Sequence, residues 1–471
     1  MAIARGPSNK SNLPGSCAYY ETLSSCDSRS IGGAVHTTEQ NVENDVWTAA
    51  ELGHRISGYR SLWAPHAGQS VALSVQRDLP SAAALLALLS LGCHVLIPPR
   101  RHPELACHLL SLTPTHLTPE YVTTAASTLK TEHSTIDLSG SIELATSGSS
   151  GHPKTVLLRA EALLHSARSV ARYWPHPSTR IGLSLPLDHV AGIGLLLRAW
   201  WSESTLVCPS VPSLDEWQRL RPSHWSVVPS QILRWRLTDE ERLLETLRAS
   251  ACVMLGGAPA SQALVAWCEQ HQLAIMQTYA MTEMGSTVGC TPLGEPGAAF
   301  FPLPHCQAEI RDGQIYTKGS SIADSVRRGG ILAPLPLQDG WFATKDFGRR
   351  DGVTFRWEGR VDRLINSGGE KIHPEYLEAW LVDRGAIQAT VIEVPHPIWG
   401  SRPVAYCYRL PKDEASLRLA IRAELGPLYV PERILPAPLS IQGQMKWSIR
   451  DLLEDWEGRK ALSLRREPPS R

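Results

Sequence analysis

No stretch of this sequence approaches the roughly 18–20 consecutive apolar residues that a membrane-spanning helix needs. Nor does charge of either sign dominate: 46 Lys and Arg stand against 46 Asp and Glu in 471 residues. A net charge of zero gives no electrostatic handle for nucleic acid or for an anionic membrane. The first residues, MAIARGPSNKSNLPGSCAYY, lack the apolar core of a secretion signal, so export is not expected. Ten cysteines are scattered with no Cys-x-x-Cys and no paired spacing, which argues against a disulfide framework or a zinc site and fits a reducing cytoplasm. Lysine is scarce as well, 9 of the 46 basic residues, so a lysine inside a motif stands out.

What is there describes a globular protein of more than one domain, since 43% of residues are hydrophobic and the chain is too long for one small core. The first 40 or so residues are polar and carry little periodicity. Helical and strand-like patterns then alternate. Residues 46–63 and 79–93 have helical patterns, and SVALSV and HVLIPP read as buried strands. Further strands follow at RIGLSLPL, STLVCPS, WSVVPS, ACVMLGG and LAIMQTY, with helices at VAGIGLLLRAWW and SQALVAWCEQHQ. Such alternation predicts an α/β fold of mostly parallel sheets covered by helices. Between Gly340 and Gly369 the texture changes to short strands and Gly/Asp turns. The tail from about residue 370 is long enough for a separate domain.

The most unusual segment is ATSGSSGHPKTVLL, Ala145–Leu158. Backbone N–H groups of a Ser/Gly loop can turn inward to form an anion-binding concavity, and a lysine adds a mobile positive charge. The Walker spacing is not matched, because Gly148 and Gly151 are three apart and His152 and Pro153 precede Lys154. A bare Ser/Gly loop is more often a surface turn, so the loop alone does not decide.

Four other segments bear on it: QTYAMTEMGSTVG (277–289), DGWFATKDFGRRDG (339–352), EGRVDRLINSGGEKIHPEYLEAWL (358–381) and GQMKWSIRDL (443–452). With TSGSSGHPK they resemble, in order and spacing, the core motifs of the adenylate-forming superfamily of acyl-CoA synthetases, adenylation domains and luciferases. The resemblance spans roughly residues 45–455. Within that superfamily, SLPLDHVAGIGLLLRAWW, VVPSQILRWRL, VMLGGAPASQALV, EMGSTV and SGGEKIHPEYLE are most similar to the o-succinylbenzoate–CoA ligases of menaquinone and phylloquinone biosynthesis.

That resemblance implies a large N-terminal domain, residues 1–361, with two helix-covered sheets and a small sheet or barrel. It also implies a mobile α+β C-terminal domain, residues 362–471. ATP, Mg2+ and CoA are the implied substrates and cofactor, with no prosthetic group; nucleic acid and membrane insertion are not expected, and dimers are common among the relatives it resembles. Thr146, Ser147, Gly148, Ser149, Ser150, Gly151 and Lys154 would wrap the phosphates of ATP. Gly256, Gly257, Ala258 and Tyr279 would border the adenine. Thr282 would touch the α-phosphate, and Glu283 would hold Mg2+. Asp346 would grip the ribose hydroxyls, with Arg360 beside it. Lys446 would bridge the attacking carboxylate and the α-phosphate, although Met445 stands where relatives have glycine.

Asp362 matches a hinge. Gly368, Gly369 and Lys371 would face the active site during thioester formation. His189 would line the acid pocket, Arg198 is a candidate for holding a second carboxylate, and Ser286 and Thr287 are further pocket candidates. Ala280 and Lys345 both stand where relatives have glycine. A stand-alone enzyme that loads an aromatic acid onto a carrier protein is the alternative reading, as is another aryl-CoA ligase.

Overall fold

The computed structural model describes residues 45–100, 102–126, 137–146, 154–174, 180–409, 413–442, 444 and 447–464. Local chemistry sets where its helices begin. Thr48 and Glu51 form a reciprocal capping box at the start of Ala49–Trp63, each side chain bonding the other's backbone N–H. Asp78 accepts from Ser81 N at 2.7 Å ahead of Leu79–Ser90, whose first turn also carries Pro80. That second helix is apolar on every side and almost wholly buried, as a helix between other layers must be.

Two large sheets form the main body. One has eight strands, with the parallel run Thr205–Val207, Arg180–Gly182, His224–Val227, Cys252–Leu255 and Ile275–Met281 at its centre and antiparallel strands at both edges. The other has seven. Its half containing Ser70–Leu73, His94–Ile97, His116–Leu117 and Ser141–Thr146 is parallel, and Lys154–Arg159, Ser325–Arg328 and Ile331–Pro334 extend it antiparallel. One continuous apolar core joins these sheets to the helices that cover them.

A four-stranded antiparallel sheet follows, Cys306–Arg311, Gln314–Gly319, Phe342–Asp351 and Thr354–Arg360. Beyond the short 3-10 turn Val361–Arg363 lies a five-stranded sheet built from residues 365–436. Two apolar clusters made only of residues 365–456 flank it.

Candidate active site

The glycine-rich segment closes a hairpin of the seven-stranded sheet. Ser141–Thr146 and Lys154–Arg159 pair antiparallel with Thr146 opposite Lys154, and Ser147, Gly148, Ser149, Ser150 and Gly151 between them lie outside the described residues. The stem is held from within by a charge. Glu143 is fully buried and accepts from Arg327 Nε at 2.6 Å and Nη2 at 3.0 Å, with Thr155 donating as well and His94 Nε2 at 3.4 Å. Burial alone would raise its pKa, but the bonds from His94, Arg327 and Thr155 outweigh burial and hold the carboxyl down at about 2. Glu143 and its three partners sit on four neighbouring strands, so one carboxylate ties their register together.

At the mouth of the hairpin Lys154 forms an ion pair with Glu283. Glu283 follows the strand Ile275–Met281 on a single 3-10 turn, Thr282–Met284, closed by Gly285 at φ +60°. The turn is tied down: Ala323 N donates to Glu283 O at 2.8 Å, and Ser321 Oγ donates to Met284 O at 2.8 Å. Thr146 Oγ1 is buried with no hydrogen-bond partner among the described residues. A hard cation suits the chemistry of this edge, which carries a carboxylate at Glu283 and an unpartnered hydroxyl at Thr146. No group of three or more metal-ligating side chains occurs among the described residues, so one carboxylate together with substrate phosphates would hold it.

A second constellation forms where the eight-stranded sheet meets the four-stranded one. Tyr279 is buried, packs edge-on against Phe355, and donates its hydroxyl to Asp346 Oδ2 at 2.6 Å. Arg360, opposite Asp346 on the next strand, donates to Oδ1 at 3.2 Å and clasps Asp362 with two further bonds of 2.9 and 3.0 Å. Burial lifts the Asp346 pKa above its usual value despite Arg360 and Tyr279. Burial, reinforced by the Asp346 charge, keeps the Tyr279 phenol un-ionised. Both Asp346 oxygens accept from protein donors, and a carboxylate, with about four acceptor sites, can also accept from a vicinal diol. Tyr279 thus serves the site by orienting Asp346, a role its place in the motif did not show.

Gly256, Gly257 and Ala258 follow the strand Cys252–Leu255 as an open loop, with Gly257 at φ +79°. A Cβ at Gly256 would lie 2.2 Å from Thr278 Oγ1, so any larger residue there would have to displace that hydroxyl. Ala280 sits at a β-bulge, exposed, with no positive φ, and its methyl is accommodated without strain.

Arg198 lies in the helix Val190–Trp201 and is 2% exposed. Its guanidinium folds back along the helix over Gly194, where a Cβ would come within 3.1 Å of Nη2 and 3.5 Å of Ser286 Oγ. Its contacts are soft: Nη1 reaches Met254 Sδ at 3.4 Å, and the Trp174 ring lies 5.5 Å away. No carboxylate pairs with it among the described residues, and Nε has no partner. Burial pushes its pKa down to about 10, which still leaves it charged at neutral pH. An unpaired buried charge costs several kcal/mol, so the site calls for an anion. Ser286 and Thr287 are buried alongside, in the strand that follows Gly285. His189 is exposed at the start of the same helix. It lies nine positions from Arg198, about 13 Å along a helix axis, so the structure does not bring the two side chains together.

Asp362, Gly368, Gly369 and Lys371, expected at a hinge and in thioester formation, follow the four-stranded sheet. Asp362 lies on the 3-10 turn, and Gly368 and Gly369, at φ +61° and +89°, form the two-residue turn between Ile365–Ser367 and Glu370–Ile372. A Cβ at Gly368 would meet the Trp399 ring at 2.7 Å. Lys371 is exposed. Lys446 lies outside the described residues; Trp447 after it is buried with Ile441 and Leu452.

Comparison with known proteins agrees with this layout. Residues 144–323 match the family model described as AMP-binding enzyme. The chain is 33% identical over 315 residues to the 2-succinylbenzoate–CoA ligase of Salmonella typhimurium, covering 66% of this chain and 68% of that one. The Escherichia coli enzyme of the same name is 31% identical, over 67% and 68%. A solved variant of E. coli MenE with bound OSB-AMS superimposes with a TM-score of 0.72 at 25% identity, covering 87% of this chain and 93% of that one.

Proposed function

The chain belongs to the 2-succinylbenzoate–CoA ligase family, and we infer on that premise that it makes 2-succinylbenzoyl-CoA, AMP and diphosphate from 2-succinylbenzoate, ATP and CoA. In the first half-reaction a carboxylate oxygen attacks the α-phosphorus and the bond to diphosphate breaks. In the second the CoA thiol attacks the carbonyl of the acyl-adenylate and AMP leaves. The product is an activated acid for menaquinone or phylloquinone biosynthesis.

The site residues divide the work. Thr146 and the segment 147–151 cradle the phosphates, with Lys154 held at the rim by Glu283. Asp346, oriented by Tyr279 and Arg360, takes the ribose hydroxyls. Thr282 reaches the α-phosphate and Glu283 holds Mg2+, which when bound offsets phosphate charge. Lys446 stabilises the charge that grows as carboxylate meets phosphate. Residues 362–471 then rotate as a small domain about Asp362, so that Gly368, Gly369 and Lys371 replace Lys446 at the site. Two separate apolar clusters and the short turn at Val361–Arg363 support that division. No helix of the described residues is long and apolar enough to cross a membrane. A cytoplasmic homodimer completes this reading.

One observation carries the choice of acid: the Arg198 guanidinium is buried, and no carboxylate pairs with it among the described residues. The distal carboxylate of 2-succinylbenzoate supplies one, and an arginine fork can hold it bidentately. Acid-dependent exchange of diphosphate into ATP tests this. Exchange should be strong with 2-succinylbenzoate, weak with benzoate, and R198A should abolish the preference. Equal exchange with both acids in the native protein would refute the assignment.

A further inference from the structure

The pocket around Arg198 holds more unsatisfied polarity than one guanidinium. Both ring nitrogens of His305, Nδ1 of His165 and Nε1 of Trp174 are buried there with no hydrogen-bond partner among the described residues. Buried polar atoms in native proteins are nearly always satisfied, and an orphan calls for a missing partner. These groups come from separate parts of the chain. His165 lies on the helix Ala160–Ala171, which packs along the helix of Arg198, and His305 precedes the strand Cys306–Arg311.

The main chain around His305 is fixed. Ser320 N donates to His305 O at 3.0 Å, and Cys306 Sγ donates to Val288 O at 2.9 Å, next to Thr287. The imidazole stands beside the Thr287 main chain without a hydrogen bond of normal geometry to it. Burial, joined by the positive charge of Arg198, lowers its pKa to about 4, while the Thr287 main chain pulls the other way. The ring is therefore neutral at pH 7 and offers one donor and one acceptor. A second cation beside Arg198 would repel it, whereas a neutral donor can share the same anionic ligand.

We propose that His305 is a specificity-determining residue that donates a hydrogen bond to the succinyl chain of the acid, beside the carboxylate held by Arg198. The chain carries a keto oxygen and a carboxylate oxygen that one imidazole N–H can serve. This inference rests on the acid named above.

The test uses the full-length protein and the diphosphate-exchange assay with 2-succinylbenzoate and benzoate. H305L should raise the KM for 2-succinylbenzoate by about 10–100-fold, the usual range for deleting a bond to a charged or strongly polar ligand group. Its KM for ATP and its exchange with benzoate should stay at the native level, and H305Q should restore part of the loss. If H305L does not fold, H305M takes its place. An unchanged KM, or an equal loss with both acids and with ATP, overturns the proposal and leaves the assigned acid standing. Absence of exchange with 2-succinylbenzoate in the native protein overturns both.

Discussion

Lys345 adopts φ +63°, a backbone conformation that glycine enters freely and that costs a residue with a Cβ about 1–2 kcal/mol. Its ammonium lies 4.0 Å from Asp362 and is more than half exposed, so that ion pair returns little. K345G should therefore stabilise the protein by roughly 0.5–1 kcal/mol, where K345A should not; urea denaturation measures both. The motif reading already marked Lys345 as standing where relatives have glycine, and the dihedral now gives the reason glycine suits the place. Other residues were out of reach from sequence. Tyr279 and Asp346 are 67 positions apart, and nothing local says that one hydroxyl orients the other carboxylate. His305 sits in a plain Pro-His-Cys turn with no periodic or motif signal. Arg198 was legible as a candidate only, because its burial depends on packing against Trp174, Met254 and Gly194.

Among elements, the hairpin under the glycine-rich loop depends on Glu143. Its one sequence signal is an acid inside the apolar strand SIELAT, a position that demands a buried partner. That partner, Arg327, lies 184 residues away and could not have been named in advance. Removing one side of such a pair typically costs about 3–5 kcal/mol, so E143Q should lower stability by that order and weaken ATP binding with it. The pH sign follows from a folded pKa below the unfolded one. The contribution is complete above about pH 4.3 and is lost as pH falls toward the folded value of about 2. Acid unfolding of the native protein should thus be steeper between those limits than that of E143Q. The central parallel strands of the eight-stranded sheet were readable from their apolar runs, whereas SIELAT was not. Their order in the sheets was not, because it is set by crossovers and by contacts distant in sequence.

For the whole molecule, the motif order carried the fold class. What stayed hidden is how the sheets meet: Lys154 of the seven-stranded sheet pairs with Glu283 beyond a strand of the eight-stranded one, and Tyr279 of that strand bonds Asp346 of the four-stranded one. The account requires residues 362–471 to turn about Asp362 between half-reactions. Proline fixes φ and removes a backbone donor, so D362P should keep acid-dependent diphosphate exchange and lose thioester formation by more than tenfold. Equal loss of both would mean that the hinge lies elsewhere. Mass spectrometry of the products that the purified protein makes from Mg-ATP, CoA and 2-succinylbenzoate decides whether it is a CoA ligase for this acid. 2-Succinylbenzoyl-CoA and AMP are expected in equal amounts, with little benzoyl-CoA when benzoate is substituted. Acyl-adenylate without any thioester would contradict that expectation and point to a carrier protein as the true acceptor.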